Sequence, residues 1–348
     1  MSVRRGLAVL VFCLLGSSAV AQGFAGLGTS ATGFAVPERG RVLSFPADHG
    51  AHPEFRIEWL YVTANLTDAA GQDYGIQWTL FRSALRPEDG PGWASPQLWM
   101  GHAGLTEAEG HYSAERRARG GIGQAGVRAA PFEAWIDDWT MLETGEGLQL
   151  RASGPQFSYD LRVQDMGPLV LQGEGGYSVK SREGQASHYY SRPFLEVSGV
   201  LTRSAGEVSV TGKAWLDREW SSQPLSEGQE GWDWVSLHFE DGSKLMGFRL
   251  REAAGQDFTS ATYIAADGQA TPLADGALEM TPLGTAEVAG RTVPVTWRIK
   301  LEQFGIDVEI DAVNDDAWME TSFPYWEGPV RIKGSHKGRG YLEMTGYE

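Results

Sequence analysis

The sequence predicts an all-β protein with two β domains in tandem. Short runs in which apolar and polar residues alternate recur along the chain, and 45 glycines and 16 prolines separate them at turns. Few long stretches carry an apolar stripe at helical spacing, so we expect little helix. An internal repeat sets the number of domains at two. Short strands with frequent turn signals are typical of β sandwiches and barrels.

The N-terminus has the order of a secretory signal peptide. Two arginines precede the apolar run Leu7–Leu15, and Ala19-Val20-Ala21 offers a small-residue cleavage site. We expect residues 1–21 to be a signal peptide cleaved after Ala21, and residues 22–41 to form a flexible leader. The mature chain would then be periplasmic or secreted. It would contain no disulfide, because Cys13 is the one cysteine and lies in the predicted signal.

The charge balance argues against polyanionic partners. Forty-five acidic residues against 29 basic ones give a net charge of −16, which repels nucleic acid and anionic membrane surfaces. After the predicted signal, no apolar run approaches the roughly 20 residues that a membrane-spanning helix requires. We therefore expect no nucleic-acid partner and no membrane span in the mature chain.

The first strand of the fold is predicted over Glu58–Leu66. Trp59, Tyr61 and Thr63 alternate there with a second series of smaller apolar residues, so both faces of the strand should be covered. A turn follows, and Tyr74–Arg82 returns as the second strand.

Two sequence matches locate the domain boundary. The matches are Trp59-x-Tyr61-Val62 with Trp232-x-Trp234-Val235, and Leu195-Glu196-Val197-Ser198-Gly199 with Leu342-Glu343-Met344-Thr345-Gly346. In the second match, one copy closes at Gly199 and the other closes near the C-terminus. We therefore predict domains at 42–204 and 205–348.

Rings and carboxylates are mixed most densely in Lys213–Ser222 and Gly231–Val235. These runs hold four of the 13 tryptophans and the carboxylates Asp217, Glu219 and Asp233. Large rings exclude water, and a carboxyl group in a water-poor pocket has a raised pKa. We interpret Asp217 as a general acid, with Glu219 or Asp233 as the neighbour that holds its proton or positions water.

A structural role is an equally open interpretation of these carboxylates. Asp217 and Glu219 lie two positions apart, so on a strand they share one face. Arg218, Arg249 or Arg251 could pair with them and lock the two domains together. Both interpretations stand at this point, because buried carboxylates with shifted pKa values occur in ion-pair networks as well as in catalytic sites.

Rings near the carboxylates are predicted to bind a substrate. Taken singly, a large ring in a β protein is more often part of the core. Taken together, these rings allow an apolar cavity suited to a small hydrophobic ligand, such as a long unsaturated or polycyclic molecule. The predicted substrate-binding residues are Trp59, Tyr61, Tyr190, Trp215, Trp220, Trp232, Trp234, His238 and His49.

We predict neither a metal site nor a cofactor. His49-x-x-His52 with Asp48 could ligate a cation, but loop histidines more commonly cap or bond the backbone. Gly121-x-Gly123-x-x-Gly126 matches the dinucleotide-binding fingerprint, yet arginines precede it where a buried strand is needed, and Pro131 follows where a helix should run. The sequence contains no Gly-x-Ser-x-Gly nucleophile motif.

Five short motifs form a combined pattern along the chain. The motifs are Phe45-Pro46-x-Asp48-His49-Gly50-x-His52, Glu58-Trp59-x-Tyr61-Val62-Thr63-x-Asn65-Leu66, Tyr189-Tyr190-Ser191-Arg192, Gly212-x-Ala214-Trp215-x-Asp217-x-Glu219-Trp220 and Gly231-Trp232-Asp233-Trp234. Together they resemble the family of carotenoid 1,2-hydratase (hydroxyneurosporene synthase) and its AttH-like secreted relatives. The similarity runs from about Phe45 to the last residue. This resemblance implies two lipocalin-type β barrels in tandem.

The resemblance also implies a chemistry. Hydratases of this family add water across an isoprenoid double bond, and Asp217 matches their proposed proton donor. Arg218 and Glu219 stand where those hydratases have His and Asn, as in the secreted relatives. We predict a hydrophobic, isoprenoid or lipid-like substrate and acid-assisted hydration or hydrolysis. The alternative is a non-catalytic periplasmic lipid carrier, or an accessory factor that works with the components of an ABC-type export system.

Overall fold

A computed structural model describes residues 32–223, 225–226 and 228–347, and it is built almost entirely of strands. This confirms the all-β prediction. The described helices are three short 3₁₀ turns at Ala47–His49, Gly92–Ala94 and Glu302–Phe304. Within the described ranges, no helix has the length and apolar character needed to cross a membrane.

The predicted signal peptide and its cleavage point after Ala21 lie outside the described residues. So does the first part of the predicted leader. Residues 32–41 adopt neither helix nor strand. This segment is bonded to the rest of the chain, since the Ala35 amide donates to the Glu54 carbonyl at 3.0 Å.

Among the described residues, the first sheet has 13 strands and forms a nearly closed barrel. Its strands are β1 (Ile57–Asp68), β2 (Asp73–Ala84), β3 (Gln97–Glu107), β4 (Gly110–Arg119), β5 (Ala125–Ala129), β6 (Phe132–Ile136), β7 (Trp139–Thr144), β8 (Gly147–Ser153), β9 (Phe157–Asp165), β10 (Val170–Leu171), β11 (Tyr177–Val179), β12 (Ala186–Arg203) and β13 (Gly206–Ser221). The order is β4-β3-β2-β1-β13-β12-β9-β8-β7-β6-β5, with β10 and β11 added beside β12.

The second sheet has ten strands in the part of the chain that the structure describes, and it forms a half-barrel. Its strands are β14 (Gln229–Phe239), β15 (Lys244–Glu252), β16 (Phe258–Ile264), β17 (Ala270–Leu273), β18 (Glu279–Val288), β19 (Arg291–Leu301), β20 (Ile306–Ala312), β21 (Trp318–Met319), β22 (Tyr325–Gly334) and β23 (Gly338–Met344). The order is β17-β16-β15-β14-β23-β22-β20-β19-β18, and β21 pairs with β22.

The two sheets divide between Ser221 and Gln229, which is later than the predicted boundary at residues 204 and 205. Strand β13 follows that boundary, yet its residues from Val210 to Ser221 pair with β1 of the first sheet. Each sheet places its last strand beside its first, because β23 pairs with β14 as β13 pairs with β1. The counterpart of β23 in the first sheet is therefore β13, and not the segment at Leu195–Gly199 used in the sequence match.

Strand alternation gives the described part of the chain three large apolar clusters, besides a small fourth one around Phe55 and Trp220. One fills the first barrel and a second fills the half-barrel. The third lies where the sheets meet, and it combines Tyr61 and Trp215 of the first sheet with Trp234 and Phe248 of the second. Along β1, Leu60 belongs to the first cluster and Tyr61 to the third, because successive side chains point to opposite faces.

Candidate active site between the two sheets

A cavity of about 660 Å³ lies where the two sheets meet. The first sheet and its loops contribute Trp59, Tyr61, Phe81, Lys180, Tyr189, Asp217 and Glu219 to its wall, and the second contributes Trp232, Trp234, Phe248, Leu250 and Glu343. Most of the wall surface is aromatic and apolar, and charged side chains that include Arg82, Arg117 and Arg119 also line it. Such a combination is typical of sites for small hydrophobic molecules.

Strand β13 carries the candidate acid into this cavity. Asp217 lies opposite Tyr61 of β1 and Ser191 of β12 in the sheet register. The sequence prediction that Asp217 and Glu219 share a face agrees with the structure, since both line the cavity. Leu216, between them, faces the first barrel instead.

Three hydrogen-bond donors hold the Asp217 carboxyl group. The Ser191 hydroxyl donates to Oδ1 at 2.5 Å, and the Trp215 indole N–H donates to the same oxygen at 2.6 Å. The Tyr189 hydroxyl donates to Oδ2 at 2.6 Å, and it accepts a longer bond from the Trp234 indole at 3.4 Å. Both oxygens are therefore fixed in position.

Burial raises the pKa of Asp217 to about 7, although its three donors oppose the rise. Its side chain forms no salt bridge with any arginine or lysine in the described part of the chain. The neighbouring Arg218 points away and pairs with Glu58 at 3.2 Å. The arginine-paired interpretation of Asp217 is thus wrong, and its carboxyl group can hold a proton near neutral pH beside an open cavity.

Glu219 also lines the cavity but has a cationic partner. Its Oε1 lies 2.7 Å from Lys180 Nζ, and it accepts a short hydrogen bond from the Ser187 hydroxyl. This ion pair and hydrogen bond fix the position of Glu219, so it is suited to fixing charge or orienting water in the cavity.

Asp233 is not part of this site, contrary to its prediction as a catalytic carboxylate. Its side chain is fully buried, and it receives Arg249 Nη2 at 2.7 Å, Arg251 Nη1 at 2.7 Å and the Tyr347 hydroxyl at 2.9 Å. Alternation along β14 explains the difference, because the tryptophans on either side of Asp233 face the cavity and Asp233 faces the other way.

Glu343 is a cavity carboxyl group that the sequence reasoning did not select. It lies on β23, where the Trp232 indole donates to its Oε1 at 2.5 Å. Its surroundings raise its pKa to about 7, first through loss of water, while Asp217 and Glu219 add to the rise. A sequence signal existed, since Trp215-Leu216-Asp217 on β13 resembles Tyr341-Leu342-Glu343 on β23.

The tryptophans predicted to bind substrate do not all face the cavity, because they lie on different faces of their strands. Trp59, Trp232 and Trp234 line the cavity, as does Tyr61. Trp215 lies behind Asp217 and positions it by hydrogen bonding. Trp220 does not reach the cavity, because it occupies an even position of β13 and stacks on His52 at a ring distance of 3.7 Å.

His49 and Tyr190 were predicted to bind substrate here, but they line a different cavity on the first barrel. His49 Nδ1 lies 2.7 Å from the Tyr190 hydroxyl. Tyr190 follows Tyr189 on β12 and therefore points to the opposite face. These residues cannot orient water beside Asp217.

His238 also lies outside the Asp217 cavity, although it was predicted to bind substrate. Its ring is buried 5.7 Å from that of Trp215. Burial and the nearby charge of Lys244 lower the pKa of His238 to about 3. A neutral, enclosed imidazole at this place packs between the sheets.

The histidine pair His49-x-x-His52 does not converge on one point. His52 lies between two carboxylates: its Nε2 is 3.2 Å from Asp48 Oδ1 and its Nδ1 is 3.0 Å from Glu58 Oε2. His49 instead hydrogen bonds to Tyr190. Among the residues that the structure describes, no group of three or more His, Cys, Asp or Glu side chains is placed to hold a metal ion.

Comparison with known proteins places the chain in a family. A family model described as AttH-like matches residues 36–347. The crystal structure of an AttH protein from Nitrosomonas europaea is 34% identical, has a TM-score of 0.80 and covers 90% of this chain and 99% of that one. No curated protein matches the chain.

Two more distant structures share the fold. Kievitone hydratase from Nectria haematococca is 17% identical with a TM-score of 0.64, covering 91% of this chain and 98% of that one. CghA with Sch210972 is 12% identical with a TM-score of 0.51, covering 90% and 98%. The two lipocalin-like barrels implied by the sequence motifs are thus confirmed. The match over nearly the whole described chain establishes that the protein belongs to the AttH-like family.

Proposed function

We propose that this protein binds a hydrophobic, isoprenoid or lipid-like molecule between its sheets and adds water across a carbon–carbon double bond. The observation that carries the proposal is the Asp217 carboxyl group. Its pKa is about 7, and it faces a cavity lined by aromatic rings. The name of kievitone hydratase, a structural neighbour, agrees with this class of reaction.

The chemistry needs one proton donor and one acceptor. The Asp217 O–H gives its proton to one alkene carbon, and the π electron pair forms the new C–H bond. Water then attacks the other carbon and loses a proton to Glu343, so that one water is added and no charge remains. Trp59, Trp232 and Trp234 line the same cavity, and each ring face stabilises a nearby cation by ~0.5–2 kcal/mol.

The two raised pKa values suit these opposite roles. Asp217 and Glu343 face the same cavity, and the charge of one disfavours the charge of the other. Near pH 7 a single proton can therefore be shared between the pair. An acid and a base with pKa values close to the working pH are both effective in proton transfer.

The test is the substitution Asp217→Asn, which keeps the size of the side chain and removes its acid proton. With isoprenoid alkenes as candidate substrates in isotopically labelled water, we expect the wild type to incorporate label into the product. The variant should lose about 10²- to 10⁴-fold in turnover, which is the usual contribution of a general acid. Unchanged turnover in a folded variant would eliminate the mechanism.

A matched pair of tryptophan variants distinguishes an effect on the cavity wall from a general effect on the core. Trp234→Phe alters the cavity wall, whereas Trp220→Phe alters a ring stacked on His52 on the other side of the sheet. We expect substrate binding to weaken in the first variant and to stay unchanged in the second. Equal effects would mean that the substrate does not occupy this cavity.

A carrier without chemistry is the second candidate. It is favoured by the three donors on Asp217, because hydrogen bonds to a carboxylate stabilise its ionised form and oppose protonation. A carrier would release its ligand unchanged after incubation, and mass spectrometry of the ligand distinguishes the two candidates.

We extend the proposal to the place of action. A signal peptide cleaved after Ala21 would bring the chain to the periplasm or the exterior, where it would serve alone or beside an ABC-type export system. N-terminal sequencing of protein from a periplasmic fraction tests the cleavage, and co-purification with transporter components tests the partnership.

A further inference from the structure

The cavity has a mouth at one end of the face that the first sheet turns toward it. In the sheet register, two neighbouring rows of side chains cross this face from β13 to β4. Every member of both rows lines the cavity: Glu219, Trp59, Phe81, Met100 and Arg117 form the first row, and Ser221, Ile57, Ser83, Leu98 and Arg119 form the second. Both rows begin with buried residues on β13 and end with exposed ones on β4, so the mouth lies at β4.

The acid and the mouth lie far apart on this face. Asp217 is on β13, two residues before Glu219. Four strand spacings separate β13 from β4, which amounts to about 19 Å along the sheet. The floor of the cavity between them is apolar, because Trp59, Phe81 and Met100 occupy it. A molecule that reaches from the acid to the mouth is therefore long and largely apolar.

Two arginines stand at the mouth. Arg117 and Arg119 are two positions apart on β4, so they share the face toward the cavity. Arg117 Nη2 lies 3.0 Å from Glu115 Oε2 and so has an anionic partner. Arg119 Nη2 donates to the Ser95 carbonyl at 3.3 Å, and no carboxylate within residues 32–223, 225–226 and 228–347 pairs with it. Arg119 thus presents an exposed, uncompensated positive charge at the entrance.

An apolar ring from the second sheet lies at the same entrance. The Ser322 amide and hydroxyl donate to Glu115 of β4, at 3.1 and 2.7 Å, and the next residue, Phe323, lines the cavity. Glu115 also pairs with Arg117, so one carboxylate anchors both the arginine and the loop that carries the ring. The mouth therefore combines an apolar surface with a positive charge, and a few polar groups on an apolar wall orient a bound molecule.

We propose that the substrate is a long amphipathic monoanion, whose apolar chain lies over the cavity floor and whose carboxylate head group binds Arg119 at the mouth. A guanidinium group matches a carboxylate through parallel N–H donors. The inference rests on the proposed function and deepens it, because it places the reacting double bond far along the chain from the charge, beside Asp217. A single charge fits better than several, since the chain as a whole carries −16.

The charges inside the cavity favour this orientation over its reverse. A head group at the inner end would meet the carboxyl groups of Asp217, Glu219 and Glu343, and like charges repel. Lys180 also lies there, but it is already paired with Glu219 at 2.7 Å. The free positive charge and the apolar floor are therefore arranged for a molecule that enters chain first.

The competing explanation is that Arg119 is an ordinary solvated surface charge. Such a charge would treat a charged and an uncharged chain alike, whereas a head-group ligand discriminates between them. Arg116 is the matched control on the same strand. It faces away from the cavity and lies over the Trp139 ring, with its guanidinium carbon 4.8 Å from the ring centre. Arg116→Gln therefore changes the net charge as Arg119→Gln does, without altering the mouth.

The experiment compares oleic acid with oleyl alcohol, which share one unsaturated chain and differ in the head group. Their affinities are measured at pH 8 from the change in tryptophan fluorescence, since three tryptophans whose places are known line the cavity: Trp59, Trp232 and Trp234. We expect Arg119→Gln to bind the acid about tenfold more weakly than wild type, the usual effect of losing a hydrogen bond to a charged group. Its affinity for the alcohol should stay unchanged. Arg119→Lys should retain most of the preference for the acid, and Arg116→Gln should bind both ligands as wild type does.

Unchanged affinity of Arg119→Gln for the acid would overturn the head-group assignment, as would equal losses for the acid and the alcohol. Equal losses in Arg119→Gln and Arg116→Gln would also overturn it, because the general field of the protein would then explain the effect. If wild type binds neither ligand, the inference fails together with its premise of a long apolar chain. No turnover is measured, so absence of hydration leaves a positive result unaffected, and loss of the head-group site leaves the effect of Asp217→Asn intact.

Discussion

At the scale of single residues, the surroundings of each carboxyl group decide what it can do. Asp217, Glu219 and Asp233 are similar in sequence context but differ in their partners. Neutral donors hold Asp217, a lysine pairs with Glu219, and two arginines pair with Asp233. Burial without a cationic partner raises the pKa of Asp217 to about 7, so its protonated form is accessible. Only Asp217 combines that environment with access to the cavity among these three.

The raised pKa of Asp217 predicts how stability depends on pH. Between pH 5 and 8 the folded carboxyl group binds more protons than the unfolded one, whose pKa is near 3.8, so its contribution to stability is lost as pH rises through about 7. The free energy of unfolding of Asp217→Asn, relative to wild type, should therefore increase by about 2–3 kcal/mol from pH 5 to pH 8.

Urea denaturation at several pH values measures this difference. Asp307→Asn is the control, because Asp307 is an exposed partner of Arg298 whose pKa is lowered, so it titrates below this window. The difference in the free energy of unfolding between Asp307→Asn and wild type should not change between pH 5 and 8. If the same difference for Asp217→Asn also does not change, the Asp217 carboxyl group of the wild type is ionised throughout this pH range.

At the scale of elements, strand alternation separates the two cavity carboxylates of β13 from the arginine that lies between them. On β13 the odd positions Asp217 and Glu219 face the cavity, while Arg218 faces the first barrel. There Arg218 and Arg82 share the buried Glu58, at 3.2 and 2.7 Å. This ion cluster fixes β13 against β1 and β2 and so positions the strand that carries the acid.

Removing the anion at the centre of this cluster should be strongly destabilising. Glu58→Gln leaves two buried guanidinium groups without their shared carboxylate, and we expect a loss of about 3–5 kcal/mol in the free energy of unfolding. Chemical denaturation measures the loss. Asp160→Asn, which breaks an exposed pair with Arg151, should change little. Equal effects of the two changes would mean that the cluster does not support the strand.

Alternation also sets the limit of what the sequence could predict about the site. The shared face of Asp217 and Glu219 follows from their spacing alone, and the paired tryptophans of β14 follow in the same way. Trp220 was assigned to the site although its position has the opposite parity to Asp217. Glu343 was missed because it reaches the cavity through pairing of β23 with β14, a contact between residues more than a hundred positions apart.

At the scale of the whole molecule, the site exists because two sheets meet. Each sheet has its own apolar cluster, and the Asp217 cavity is lined mainly by residues that belong to neither of these two clusters. Its acid comes from the first sheet, its second carboxyl group from the other, and its rings from both. The tandem repeat found in the sequence therefore has a functional consequence, because neither half alone encloses the pair of protonatable groups.

Titration of the Asp217 carboxyl group tests the central claim most directly. Carbon NMR of protein labelled at the aspartate carboxyl carbons reports each protonation, and the Asp217 resonance is identified by its absence from Asp217→Asn. We predict a midpoint near pH 7 in the intact protein. A midpoint near the ordinary value of about 4 would contradict the claim that this group carries a proton into the cavity at neutral pH.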